Sequence, residues 1–303
     1  MWSGHDLISM EYADAGEARA LLARAHSDDF SDELLKGKAV ANLFFEDSTR
    51  TRVSFSRATQ LLGGDVLDLS GKGSSISKGE TLIDTAQTIE SMGVDALVVR
   101  VSEMGAPRRI AEHVEIPVIN AGDGTHQHPT QALGDAMTIG RAFGRTDEWD
   151  LSGLRVAIVG DVISSRVAGS NIGLISALGA QITLVGPTKM VDETMASNRC
   201  SVSHELDAVL EDADVMMMLR VQFERGSGDR LSSTEAYHDG YGLTQARADR
   251  MKARAIVMHP GPTNRGVEID SSVADGERSH IRNQVTHGVL ARKAVLAGAI
   301  AGM

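Results

Sequence analysis

Residues 39–62 read Ala39-Val40-Ala41-Asn42-Leu43-Phe44-Phe45-Glu46-Asp47-Ser48-Thr49-Arg50-Thr51-Arg52-Val53-Ser54-Phe55-Ser56-Arg57-Ala58-Thr59-Gln60-Leu61-Leu62, and the pair Gly63-Gly64 follows. Ala39 to Phe45 is an apolar run of strand length. From Thr51 to Leu62 the apolar residues Val53, Phe55, Ala58 and Leu62 fall on roughly one side of a 3.6-residue period, so a helix opens at once and stops at the glycine pair. The pattern repeats along the chain. Further strand-like runs are Asp65 to Leu69, Asp95 to Arg100, Ile116 to Asn120, Arg155 to Gly160, Gln181 to Val185, Asp214 to Leu219 and Ala255 to Met258. Helical spacing separates many of them, as in Thr81 to Met92, His128 to Phe143 and Ala168 to Leu178. Strands alternating with helices imply the α/β class, with doubly wound parallel sheets that bind ligands beyond the carboxyl ends of their strands.

A chain of 303 residues is long enough for about two domains. The polar stretch Gly144 to Asp150 breaks the alternation before a fresh strand at Arg155. It places the expected boundary: 1–145 with a C-terminal helix 286–303 in one domain, 146–285 in the other, and the site in the cleft between them. The run Thr286 to Ile300 reads as an amphipathic helix. Hydrophobic residues at 42% and charged residues at 23% describe a soluble globular protein. A net charge of −11 disfavours nucleic-acid and anionic-membrane partners, so any anion site must concentrate its positive charge locally. The one cysteine, Cys200, forms no internal disulfide, and no metal-ligand spacing is present, so no metal or cofactor is expected. With no basic and apolar leader and no membrane span, a cytoplasmic enzyme is expected.

Chemistry concentrates first at Glu46 to Ser54. Backbone N–H groups of a first helical turn, the positive helix end, the hydroxyls of Ser48, Thr49 and Thr51 and the guanidinium of Arg50 would converge on one phosphate. The plainer alternative is that Ser48 and Thr49 only cap the helix. Arg100 ends its strand and projects toward the ligand crevice. His128 and Gln131 lie three apart behind Pro129, a good first helical residue, and share one face near a helix N-terminus. After the strand at Arg155, a dinucleotide-binding oxidoreductase is the competing reading. From Gly160, however, the second and third glycine positions hold Val162 and Ser165, which would obstruct a pyrophosphate. Arg166, Arg220 and Gln222 would instead suit a dicarboxylate. Met216 to Met218 reads as core filling.

The segment Phe44-Phe45-Glu46 followed by Ser48-Thr49-Arg50-Thr51-Arg52 resembles the carbamoyl-phosphate loop of the aspartate and ornithine carbamoyltransferases. Matches continue in order at Ser74 to Glu80, Val98 to Arg100, His128 to Gln131, Val159 to Val167, Leu219 to Arg225 and His259 to Ile269. His259-Pro260-Gly261-Pro262 stands where the ornithine branch carries His-Cys-Leu-Pro, so the resemblance is to the aspartate branch. It implies carbamoyl transfer from carbamoyl phosphate to L-aspartate, toward pyrimidines. Ser48, Thr49, Arg50, Thr51, Arg100, His128 and Gln131 would bind carbamoyl phosphate, with Thr51, Arg100 and His128 aiding catalysis. Lys78, Arg166, Arg220 and Gln222 would bind aspartate, and Gly261 and Pro262 would offer backbone contacts. Glu46 and Arg225 resemble interdomain ion-pair partners. Ser74 and Lys78 would reach the neighbouring subunit's site in a homotrimer. A regulatory or dihydroorotase partner stays open, as does a paralogue that is weakened or uses another amine. The chain departs from the family at Asp47, Ser56, Ser164 and Gly169; Asp47 adds a negative charge beside the phosphate loop and should weaken anion binding unless Arg52 or Arg57 offsets it.

Overall fold

A computed structural model describes residues 2–3, 5–70, 80–221 and 233–302. In chain order the elements are β1 (Trp2–Ser3), β2 (Asp6–Leu7), α1 (Ala15–Ser27), β3 (Ala39–Phe44), α2 (Thr49–Leu61), β4 (Asp65–Ser70), α3 (Leu82–Glu90), β5 (Ala96–Val101), α4 (Ala106–Ala111), β6 (Val118–Asp123) and α5 (Pro129–Ala142). The second half adds β7 (Arg155–Val159), α6 (Arg166–Ala177), β8 (Gln181–Val185), β9 (Cys200–Ser203), β10 (Val215–Met218), α7 (Thr234–Tyr241), α8 (Gln245–Arg250), β11 (Ile256–Met258), α9 (Ser271–Ala274) and α10 (Ile281–Ala301).

The strands form two sheets, ordered β1-β2-β6-β5-β3-β4 and β11-β10-β7-β8-β9. Every pair is parallel except β1 with β2. Helices cover the sheets, and the central strands are accordingly apolar: Leu97, Val98 and Val99 of β5 and Met216, Met217 and Met218 of β10 are fully buried. The methionines are therefore core, as expected. Each sheet changes winding direction once. The chain leaves β3 for β4 and returns to β5 on the other flank, and it leaves β7 for β8 and β9 before returning to β10. The carboxyl ends of β3 and β5, and of β7 and β10, are thus two switch points where a crevice opens.

All eight runs read as strands form strands. The short β1, β2 and β9, and the helices α1, α4, α7, α8 and α9, lie outside the segments singled out from the sequence. In α1, Asp14 caps the Glu17 N–H, and Ala18, Leu21, Leu22 and Ala25 are buried. The C-terminal helix starts at Ile281 rather than Thr286 and packs on α5, α2 and α1. Ala291 to Ala297 is buried without interruption, so this helix is surrounded by neighbours rather than amphipathic. No helix among the described residues is long and apolar enough to cross a membrane.

Between α5 and α10, Thr138 donates its hydroxyl hydrogen to the Gly134 carbonyl at 2.7 Å, so the 2.8 Å contact between Thr138 Oγ1 and His287 Nδ1 requires a hydrogen on that nitrogen. Burial, then Arg141, His280 and His26, push the His287 pKa down to about 4. The neutral ring is favoured in the fold, whereas the unfolded chain takes up a proton near pH 6.5. Stability from this group is therefore present above that pH and lost as pH falls toward 4. Between pH 7 and pH 5 the loss is about 1 kcal/mol after allowance for solvent screening. His287→Asn should flatten this slope in thermal melts at the two pH values; an unchanged slope would assign it to other groups.

Candidate active site

The two switch points face each other across one cavity of about 630 Å³. Residues 46–51, Arg100, His128 and Gln131 form one wall; Ser165, Arg166, Leu219, Arg220 and residues 259–263 form the other; Gln284 and Arg292 from α10 close it. A second cavity of about 600 Å³ touches Arg155, Gln181 and Cys200, the first residues of β7, β8 and β9. That is the end of the sheet opposite the one where such folds bind ligands.

In register with Phe44, Arg100 stands directly beside the end of β3. Ser48 takes the N-cap position of α2, yet its side chain makes no capping hydrogen bond. The capping alternative accordingly fails for this residue, and the first-turn N–H groups and helix dipole face the cavity unscreened. Arg50 lies against Gly261, where a Cβ would come within 3.4 Å of its Cζ. Partial burial and the neighbouring Arg220 guanidinium both lower the Arg50 pKa, which marks a spot where positive charge awaits an anion.

Glu46 spans the cleft. Its carboxylate accepts from Arg166 Nη1 at 2.8 Å and Nη2 at 2.7 Å, and lies 3.7 Å from Arg100 Nη2. Arg166 Nη1 also donates to the Gly124 carbonyl at 3.1 Å, and Arg100 Nη1 to the Ala121 carbonyl at 3.2 Å. Gly122, at φ 124°, is required between them: a Cβ there would meet Arg166 Nε at 3.1 Å and Arg100 Nη1 at 3.2 Å. Read from sequence as a dicarboxylate ligand, Arg166 does line the cavity. Its fork, however, is held by Glu46, leaving one Nη2 hydrogen and the Nε hydrogen unengaged among the described residues.

His128 is buried, and its backbone N–H donates to Ser170 Oγ at 2.7 Å. Desolvation, then Arg100, Arg292 and Arg166, hold its pKa well below the ordinary histidine range, so the ring is neutral and can donate one hydrogen without adding charge. Thr51 Oγ1 is 3.5 Å from its Nε2. Gln131 Nε2 donates to Asp135 at 2.7 Å. On the opposite wall, Arg220 Nε points at Asn264 Oδ1, 3.5 Å away, and Asn264 Nδ2 donates to the Val221 carbonyl at 2.9 Å. The 259–264 loop is braced from within, because His259 Nδ1 accepts the Gly261 N–H at 2.8 Å and its Nε2 donates to buried Glu268 at 3.1 Å. Pro262 lines the same cavity.

Ser74, Lys78, Gln222 and Arg225 lie outside the described residues. Residues that sequence reading missed are Arg292, Asp135, Gln284, Asn264 and the His259–Glu268 pair. Arg292 is buried, donates to Ser54 Oγ at 2.9 Å and stacks 5.1 Å from the Phe55 ring centroid; desolvation pushes its pKa down to about 10. The adjacent charges Arg292 and Lys293 inside the otherwise apolar run Ala291 to Ala297 were the available signal. Among the departures, Asp47 is exposed on the rim and makes no salt bridge with Arg52 or Arg57 among the described residues. Ser56 bonds to Asn42 and to the Arg52 carbonyl, and Ser164 is buried beside Asp161; neither lines the cavity. Gly169 faces the His126 carbonyl, 2.6 Å from where a Cβ would sit, so no side chain fits there. The dinucleotide alternative also loses ground, since Ser165 accepts the Ala168 N–H and fills the turn with its own side chain. No group of three or more His, Cys, Asp or Glu that could hold a metal occurs among the described residues.

Family profiles for the carbamoyl-phosphate-binding domain and the Asp/Orn-binding domain of aspartate/ornithine carbamoyltransferases match residues 5–141 and 152–298. The aspartate carbamoyltransferase catalytic subunit of Myxococcus xanthus is 51% identical over 294 residues, covering 96% of this chain and 97% of that one. A Trypanosoma cruzi aspartate transcarbamoylase solved with carbamoyl phosphate and aspartate superposes with a TM-score of 0.85 at 30% identity, over 96% and 95% of the two chains. The ornithine carbamoyltransferase of Pyrococcus furiosus superposes at 0.87 with 29% identity, over 99% and 98%. With the Ser48 to Thr51 turn, the paired switch points and these likenesses in agreement, the chain belongs to the aspartate/ornithine carbamoyltransferase family.

Proposed function

We propose that the chain is an aspartate carbamoyltransferase, moving the carbamoyl group of carbamoyl phosphate to the amino group of L-aspartate to give N-carbamoyl-L-aspartate and phosphate, in cytoplasmic pyrimidine biosynthesis. One observation carries the reading. In a chain of net charge −11, Arg50, Arg100, Arg166, Arg220 and Arg292 line a single cavity whose only lining acids among the described residues are Glu46 and Asp47. Such local reversal of charge suits two anionic substrates held side by side. It agrees with relatives at 51–53% identity that are aspartate carbamoyltransferase catalytic subunits.

Arg50, Ser48, Thr49 and the α2 N-terminus take the phosphate. Arg100, Thr51 and neutral His128 direct donors at the carbonyl oxygen as the amine attacks; Arg220, the two open Arg166 hydrogens and Gln222 receive the aspartate carboxylates. The new C–N bond forms, the C–O bond to phosphate breaks, and the leaving phosphate accepts the amine proton. No side chain needs to act as nucleophile. Rate comes from juxtaposing two anions and from preorganised donors at the developing oxyanion. Ser74 and Lys78 complete the site from the neighbouring subunit of a homotrimer, and a sedimentation mass of one chain would overturn that assembly. Within each chain, α10 belongs with the carbamoyl-phosphate half.

Carbamoyl transfer measured against L-aspartate, L-ornithine and putrescine tests the substrate assignment. Aspartate should be the preferred acceptor, because the described residues of the far wall offer guanidinium groups to carboxylates and no acid to a second ammonium. A faster rate with ornithine or putrescine would refute it.

A further inference from the structure

Asp135 lies on α5 one turn beyond Gln131, is fully buried, and does not line the cavity. Three amides converge on its carboxylate: Gln131 Nε2 at 2.7 Å and Gln284 Nε2 at 2.8 Å on Oδ1, and Asn171 Nδ2 at 2.8 Å on Oδ2. Their orientation follows from a group that cannot be turned over. The His259 backbone N–H can only donate, and it meets Gln284 Oε1 at 2.8 Å. Gln284 must therefore present Nε2 to Asp135, which makes Oδ1 an acceptor, and Gln131 can approach the same oxygen only through its own Nε2. With one Nε2 hydrogen spent on Asp135, the Gln131 amide keeps its oxygen and its second Nε2 hydrogen for other partners.

We propose that Asp135 is a positioning residue that fixes the Gln131 amide with its acceptor oxygen toward the cavity, so that the site selects a donor bearing an N–H group beside the carbonyl to be transferred. A carbamoyl group meets that oxygen with a hydrogen bond; an acetyl group leaves it facing a methyl. The same carboxylate ties the Gln131 wall to the opposite one twice, through Asn171 on α6 and through Gln284 to the His259 loop that carries Gly261 and Pro262. The inference rests on the carbamoyl-phosphate reading of the cavity.

The test uses two probes that differ only by NH2 against CH3, 2-phosphonoacetamide and 2-oxopropylphosphonate, with inorganic phosphate as a probe of the anion subsite alone, each titrated by calorimetry. The parent should prefer the carboxamide by about tenfold or more, the effect of one satisfied hydrogen bond at a site closed to water. In Asp135→Ala the preference should fall to about threefold or less while phosphate affinity stays within about threefold of the parent. Asp135→Asn keeps an acceptor oxygen and should restore part of the preference. Gln131→Ala should abolish it, and adding Asp135→Ala to that variant should change it no further. If Asp135→Ala does not fold, Asp135→Ser, whose hydroxyl is too short to reach Gln131, takes its place. A preference unchanged in the Ala or Ser variant would overturn the proposal, as would equal losses of carboxamide and phosphate binding or an added effect in the Gln131→Ala background. A parent that binds neither phosphonate would instead overturn the carbamoyl-phosphate reading itself.

Discussion

Arg50→Ala should lower kcat/KM for carbamoyl phosphate by about 10²–10³-fold, the scale of removing one charged donor from a preorganised oxyanion site. Arg50 sits in the first turn of α2, where Ser48 leaves the N–H groups uncapped. Those N–H groups and hydroxyls would remain in the variant. Exposed helix-end charge is worth about 0.3–1 kcal/mol, however, against a guanidinium fork that meets two phosphate oxygens at once. Arg220 lowers the Arg50 pKa, so an anion held at Arg50 would offset that repulsion. Inhibition by inorganic phosphate should weaken in parallel. Arg50→Lys should recover only part of the loss, because it restores the charge without the fork. Unchanged phosphate inhibition in Arg50→Ala would place the anion elsewhere.

Arg220→Ala should raise the KM for aspartate by about 10²-fold, as expected for loss of a charged hydrogen-bonding partner, while the KM for carbamoyl phosphate moves by less than about threefold. The separation follows from the occupied fork of Arg166. With Nη1 and Nη2 on Glu46 and Nη1 also on the Gly124 carbonyl, Arg166 can spare little for a dicarboxylate. Arg220 follows β10 at the second switch point, steadied by Asn264, and carries most of the described far-wall charge. Steady-state kinetics with each substrate varied in turn separates the two constants. A KM for aspartate equal to the parent's would show that the acceptor lies outside this wall.

Much of this site was legible because its chemistry sits at element ends. The strand Ala39 to Phe45, the turn at Ser48 and the helix from Thr51 are contiguous, so their convergence could be read locally, and Arg100 had to face the crevice once its strand was parallel. The braces were not legible. Gln284 meets Asp135 across 149 residues of sequence, and no local period reports such a pairing. Arg292 was hidden for a related reason: helical spacing places Ala291 to Ala297 in a core, and only the packed fold shows that its one guanidinium reaches Ser54 beside the phosphate loop. Arg166 was located correctly, but its commitment to Glu46 depends on two elements meeting across the cleft. Of the missed strands, β9 is a four-residue edge and β1 and β2 have two residues each, too short for alternation to register.

On the proposed reading, two anion sites, one at Arg50 and one at Arg220, lie close enough to be filled by a single molecule that joins a phosphonate to aspartate. Such a compound, N-(phosphonacetyl)-L-aspartate, is bound in one of the Trypanosoma cruzi structures that this fold superposes on, at a TM-score of 0.85. Calorimetric titration of the parent protein with it is the most direct test. One compound per chain should bind far more tightly than phosphonoacetate or aspartate alone, since joining the two removes the entropic cost of assembling them, and Arg50→Ala and Arg220→Ala should each weaken it strongly. Binding no tighter than phosphonoacetate, or unaffected by Arg220→Ala, would contradict a paired arrangement of the two anion sites.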